Sequence, residues 1–130
     1  MARILLIDDD DAVRAVLGAV LARSGHTVIE ARDGEEGLDL FPRARPDLVI
    51  TDIAMPKNSG LEVVQVLREK QPRVKIIAMS GGTGPGSEDN LQAARLLGAT
   101  SVLAKPFARA VLLAEVNEVL GAGAARQVGG

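Results

Sequence analysis

The sequence predicts an α/β fold: a doubly wound, five-stranded parallel sheet with helices on both faces. Two observations carry that prediction. Short apolar runs of Ile, Val and Leu alternate five times with longer segments of helical periodicity. Such alternation implies parallel strands joined by right-handed crossovers. The second observation is the kind of core available. Hydrophobic residues make up 47% of the 130 residues and aromatics only 2%, so the core is aliphatic, as a sheet covered on both faces requires.

Each element has its own signal. Ile4-Leu5-Leu6-Ile7 is a buried strand that stops at four aspartates, Asp8 to Asp11. Asp10 or Asp11 is placed to cap the next helix and complement its dipole. That helix shows a stripe of Val13, Val16, Leu17, Val20 and Leu21, and Gly25 closes it. Residues 27–30 form a second strand. Asp33-Gly34 marks a turn, Glu35 and Glu36 suit a first helical turn, and the helix carries Leu38, Leu40 and Phe41 before fading at Pro42. Leu48, Val49 and Ile50 form the central strand, which ends at Asp52 before Met55-Pro56 turns the chain away. A third helix uses Leu61, Val64 and Leu67 and stops by Pro72. Residues 74–79 are a fourth strand, followed by Ser80 and a Gly-rich stretch with the composition of a flexible loop. Ser87 or Asp89 is placed to cap the fourth helix, which runs through Leu91, Ala94 and Leu97 to Gly98. Residues 101–104 are the fifth strand, ending at Lys105-Pro106-Phe107. The last helix uses Val111, Leu112, Val116, Val119 and Leu120. One domain over residues 1–120 is expected, with residues 121–130 a flexible tail or the start of a linker.

Composition narrows the function. A net charge of -2 and the lack of Trp and Tyr argue against nucleic-acid contact by this chain. Without Cys there are no disulfides or thiolate metal sites, which fits a reducing compartment. No apolar run has membrane-spanning length and no signal-peptide pattern opens the chain, so a cytoplasmic domain is expected.

The informative residues stand at the strand ends. In a parallel sheet the carboxyl ends share one edge, where such folds place their ligands. Here that edge receives Asp8 and Asp9, Asp52, Ser80 and Lys105. Taken singly, each has an ordinary explanation: a strand-end Asp caps a helix, a Lys is solvated, a Ser before glycines makes a turn. Together they form a set. Three converging carboxylates repel one another unless a cation lies between them. Oxygen-only ligation with open positions points to Mg²⁺. A lysine and a hydroxyl alongside would bind phosphoryl oxygens. The simplest chemistry is attack by a carboxylate on phosphorus, giving an aspartyl phosphate. Asp8 and Asp9, as a pair, suit metal ligation; Asp52, alone opposite Lys105, is the nucleophile.

These motifs resemble the receiver domain of response regulators, the phosphoacceptor module of two-component signalling. The resemblance covers about residues 3 to 120 and rests on Leu6-Ile7-Asp8-Asp9, Asp47 through Pro56, Gly60-Leu61-Glu62-Val63, Ala78-Met79-Ser80 and Lys105-Pro106-Phe107. It implies a flavodoxin-like (βα)5 fold with Asp52 as phosphorylation site. It further implies Mg²⁺, replaceable by Mn²⁺, held by Asp9, Asp52 and the backbone carbonyl of Ala54, with Asp8 completing the acidic pair. Ser80 would be the switch hydroxyl, Lys105 the phosphoryl partner, and Lys105-Pro106 a cis bond. The implied partners are a histidine kinase or histidine phosphotransfer protein as donor, and a downstream effector. The domain would be monomeric, with a possible dimer on phosphorylation. His26, in a turn, is a surface residue rather than the donor histidine.

The chain departs from the family in three places. Val102 stands where relatives often carry an aromatic switch residue. The loop after Ser80 is longer and richer in Gly. Ala54 and Gly82 are small, which predicts weak shielding and a short-lived phosphoryl group. Two other readings are weaker. A haloacid-dehalogenase-like phosphatase would set an Asp two residues after its nucleophile, where Ala54 stands, and needs a cap segment. A non-phosphorylated interaction module would not need the full set of polar residues.

Overall fold

The computed structural model describes the backbone at residues 2–53, 60–81 and 87–129, and the side chains of these except 87–89 and 122–129. The strands are β1 (Arg3–Ile7), β2 (Thr27–Ala31), β3 (Leu48–Asp52), β4 (Lys75–Ser80) and β5 (Ser101–Ala104). The helices are α1 (Asp11–Arg23), α2 (Gly34–Ala44), α3 (Gly60–Lys70), α4 (Ser87–Leu97) and α5 (Arg109–Gly129). The strands form one sheet in the order β2-β1-β3-β4-β5, and every pairing is parallel. The doubly wound sheet expected from the alternation is therefore the one observed.

Period-two alternation sends neighbouring side chains to opposite faces. Ile4, Leu6, Leu48, Ile50, Ile77 and Met79 pack under α1 and α5, with Leu17, Leu21, Leu112 and Val116. Leu5, Ile7, Val49 and Ile76 pack under α2 and α3, with Phe41, Val63, Val64 and Leu67. Each fully buried Leu or Ile contributes about 1.5–3 kcal/mol. The central strands are thus clamped from both sides, and their carboxyl ends form a rigid edge.

Several local expectations are refined. The Asp10 carboxylate caps α1, accepting from the amides of Ala12 and Val13. Val16 is 60% exposed, because it lies at the edge of a stripe centred on Leu17 and Leu21. Val111 is likewise exposed, while Leu112, Val116 and Val119 are buried. The second helix continues through Pro42 to Ala44. A proline in the last turn forfeits one backbone bond there, and Arg45 closes the helix in the left-handed region at φ 47°, its amide bonded to Phe41 O. Gly25 and Gly98, at φ 95° and 114°, follow α1 and α4 where a side chain would be strained. The backbone of α5 remains helical through Gly129, past the helix end expected near Leu120. Ala, Arg and Gln in that stretch are good helix formers. The residue preceding α4 and the Gly-rich stretch from Gly82 lie outside the described residues.

Candidate functional site

β1 and β3 are neighbours, yet the chain visits β2 between them, on the far side of β1. Crevices at such reversals of strand order are where open α/β sheets bind ligands. The registers align Ile7 with Thr51 and Asp52 with Met79, which sets Asp8 beside Asp52 and Ser80 one residue further along β4. Hydrogen bonds beyond the strands hold this edge: Ile53 N donates to Met79 O at 2.9 Å, and Lys105 N to Ser80 O at 2.8 Å. Gly60 opens α3 against the same edge; a Cβ there would lie 2.1 Å from the Asp52 carbonyl oxygen, so glycine permits the approach.

Among the described residues, four polar ones are buried: Asp8, Thr51, Asp52 and Ser80. Three of them stand at strand ends. Asp8 is 0% exposed and Asp52 is 6% exposed. The Lys105 ammonium donates to Asp8 Oδ2 at 2.9 Å and to Asp52 Oδ2 at 3.2 Å. The other Asp8 oxygen accepts from the Asp10 amide at 2.9 Å. Asp9 is exposed, but its carboxylate belongs to the same group: oxygens of Asp8, Asp9 and Asp52 lie within 4.8 Å of one another. Like charges at that spacing repel by about 3 kcal/mol at an effective dielectric of 20. One ammonium offsets only part of this. Burial pulls the Lys105 pKa down, but its bonds and charge interactions with Asp8 and Asp52 outweigh burial and raise it overall. The lysine therefore stays charged at neutral pH.

Ser80 supplies a second asymmetry. Its hydroxyl is buried and has no hydrogen-bond partner among the described residues. A buried hydroxyl left unpaired costs about 1–3 kcal/mol. The site thus gathers three carboxylates beside a hydroxyl that has no partner among the described residues. Oxygen-only donors of this kind fit Mg²⁺ or Mn²⁺.

The structure brings together Asp8, Asp9, Asp52 and Lys105, and puts Ser80 at the adjoining strand end. The Lys105-Pro106 bond is cis. Ala54, the remaining expected ligand, and Gly82 lie outside the described residues. Val102 lines a groove with Leu91, Gln92, Arg95 and Leu96 between β5 and α4. His26 is only partly exposed, its Nδ1 accepting from Ala2 N at 3.1 Å; burial lowers its pKa. Sequence reasoning did not single out Arg14, whose guanidinium contacts the Asp8 carbonyl. Its place, six residues after Asp8 on the following helix, was a signal only in combination with the β1–β2 register.

The family model of the response regulator receiver domain matches residues 4–117. The chain belongs to that family. It is 41% identical over 118 residues to the response regulator MprA of Mycolicibacterium vanbaalenii, covering 91% of this chain and 50% of that protein. It therefore spans about half the length of the MprA relatives it matches. It is 35% identical over 114 residues to the CAI-1 autoinducer sensor kinase/phosphatase CqsS of Vibrio cholerae, covering 88% of this chain and 17% of that protein. Among solved structures, the chemotaxis protein CheY4 of Vibrio cholerae superposes with a TM-score of 0.82 at 32% identity, covering 92% of this chain and 98% of that one. A receiver domain protein from Clostridium thermocellum gives 0.87 at 30% identity, covering 95% and 97%. This receiver is thus a two-component signalling domain. No described helix is long and apolar enough to cross a membrane.

Proposed function

We propose that this receiver accepts a phosphoryl group on Asp52 from a phosphohistidine of a histidine kinase or histidine phosphotransfer protein. An Asp52 carboxylate oxygen forms the new bond to phosphorus as the phosphorus–nitrogen bond to the donor histidine breaks. The observation that carries this reading is the pocket itself: the carboxylates of Asp8, Asp9 and Asp52 converge from two neighbouring strands, and the Lys105 ammonium binds two of them, Asp8 and Asp52. Asp8, Asp9, Asp52 and the Ala54 carbonyl would hold Mg²⁺, or Mn²⁺ in its place. When bound, the ion offsets negative charge on the phosphoryl oxygens and the carboxylates.

The chain's own residues do the rest. Lys105 exchanges its Asp52 contact for a phosphoryl oxygen and keeps its contact with Asp8. Ser80 gives its unpaired hydroxyl to another phosphoryl oxygen, which removes the cost of burying it alone. Phosphorylation thereby favours the conformer in which Ser80 is satisfied, shifting an existing equilibrium. With Val102 in place of an aromatic, the change travels through backbone around Ser80 and the face of α4, β5 and α5. The domain acts as a phosphoacceptor that assists its own phosphorylation and dephosphorylation, not as an enzyme acting on a separate substrate. It works in the cytoplasm as a monomer, dimerises through the switch face when phosphorylated, and passes the signal to an effector. Residues 1–120 are the acceptor unit, and residues 121–130, whose backbone through Gly129 continues α5, form a tail or the start of a linker.

The test is incubation with acetyl phosphate and Mg²⁺ followed by intact mass. One phosphate adduct is expected, absent from Asp52→Asn and absent without Mg²⁺. Steady turnover of a small phosphoester would instead make this a phosphatase of the haloacid-dehalogenase type. No adduct at all would leave a pure interaction module.

A further inference from the structure

We propose that Arg14 is a positioning residue for the acidic pair, holding the peptide between Asp8 and Asp9 from outside the pocket. This rests on the reading of the pocket as a divalent-cation and phosphoryl site. Arg14 lies on α1, and its side chain is only 12% exposed. Its guanidinium reaches three segments at once. Nη1 donates to the Asp8 carbonyl at 2.7 Å, Nη2 to Asp11 Oδ1 at 2.6 Å, and Nε to Glu30 Oε1 at 3.2 Å. A guanidinium is planar with donors in a fixed fork, so three such bonds define its place closely.

The consequence falls on Asp8 and Asp9. Asp8 N donates to Ala31 O at 3.2 Å, Oδ1 accepts from Asp10 N, and Oδ2 accepts from Lys105. The Asp8 carbonyl is bound by Arg14. That carbonyl belongs to the peptide leading into Asp9, so its orientation sets the direction in which the Asp9 carboxylate leaves the chain. Asp9 is exposed, in contrast to the fully buried Asp8, and depends more on its backbone for aim. The support for Arg14 is itself built in. Glu30 stands on β2 in register with Leu6, and Gly18 leaves room for it: a Cβ at Gly18 would lie 3.1 Å from Glu30 Oε2. Holding α1 against the sheet needs only the apolar stripe; a nearly buried guanidinium bound to a ligand residue's carbonyl serves geometry.

The experiment measures Mn²⁺ binding by electron paramagnetic resonance, with amide exchange in the metal-free protein. Arg14→Met and Arg14→Lys are each expected to weaken Mn²⁺ binding about tenfold, as loss of an outer-shell support does. Exchange at the Asp9 and Asp10 amides should quicken, while β4 amides keep their protection. The lysine variant is decisive, because it retains the charge but loses the fork. Wild-type Mn²⁺ affinity in Arg14→Lys would overturn the proposal and leave only an electrostatic effect. Unchanged affinity and exchange in both variants, with a lowered thermal midpoint, would overturn it in favour of a plain clasp between α1 and β2. Should Arg14→Met fail to fold, Glu30→Gln loosens the same guanidinium and should give the same pattern, smaller in size. If the wild-type protein binds no Mn²⁺, the proposed function fails, and exchange at Asp9 and Asp10 still decides the role of Arg14.

Discussion

The two ends of the sheet treat polar groups in opposite ways. At the amino ends of the strands, polar side chains are spent on the backbone. Asp47 accepts from Arg3 N at 2.8 Å, Arg3 Nε donates to Ala44 O, and Thr100 accepts from Ile76 N. Arg68 is the extreme case, binding the carbonyls of Gly98, Pro72 and Val74. Burial lowers its pKa, and its hydrogen-bond partners among the described residues are carbonyl dipoles. At the carboxyl ends, three carboxylates converge, two of them on the Lys105 ammonium, and a buried hydroxyl has no partner among the described residues. The first end spends its polar groups on the backbone; the second concentrates charge among side chains. A groove of about 570 Å³, lined by Phe41, Arg45, Asp47 and Arg73 among others, lies at the amino end, away from the chemistry.

The contrast can be broken most forcefully at Lys105. Lys105→Met leaves Asp8 fully buried without its ammonium, and removing one partner of a buried pair costs about 3–5 kcal/mol. Urea unfolding without divalent ions should show a loss of that order, narrowed by added Mg²⁺. The pH dependence follows from the raised pKa of Lys105. A raised folded pKa adds stability that is fully present below the unfolded value of about 10.4 and is lost as pH rises through the folded pKa. The gap between wild type and Lys105→Met should therefore hold at pH 7 to 9 and shrink at higher pH. A gap independent of pH would mean that the lysine stem, not its charge, supports the pocket.

Arg68→Met probes the other end. Three carbonyls lose a donor, at a cost of about 1–3 kcal/mol in all. Phosphorylation by acetyl phosphate should proceed at the wild-type rate, since the change lies beyond the amino edge of β4. A slowed reaction would show that the two ends are coupled. The smallest stability effect is expected at Ser80. Ser80→Ala removes an unpaired donor, so unfolding should be unchanged or shifted to higher urea by up to about 1 kcal/mol. The adduct on Asp52 should still form, but the chemical-shift changes that phosphorylation produces in α4 and β5 should be lost. A marked destabilisation would mean that the hydroxyl has a partner after all.

Much of this was legible in the residues because each strand ends where an apolar run meets a polar group. Ile7 before Asp8, Ile50 two before Asp52, and Ala104 before Lys105 mark both the strand ends and the pocket. What stayed hidden depends on registers or on marginal positions. The Arg14–Glu30 pair needs the β1–β2 register, which spacing along the chain does not reveal. Val16 fits a helical stripe yet sits at its margin, facing solvent. Pro42 and Gly121 are ordinary stop signals, and both helices run past them.

Gly60 carries a mechanical consequence. With no side chain separating them, the start of α3 abuts the main chain of Asp52. The main chain of Asp52, the proposed acceptor, therefore has a hard backstop. If Asp52 is phosphorylated as proposed, α3 cannot close further on that main chain, and any adjustment to the added charge falls on other parts of the pocket.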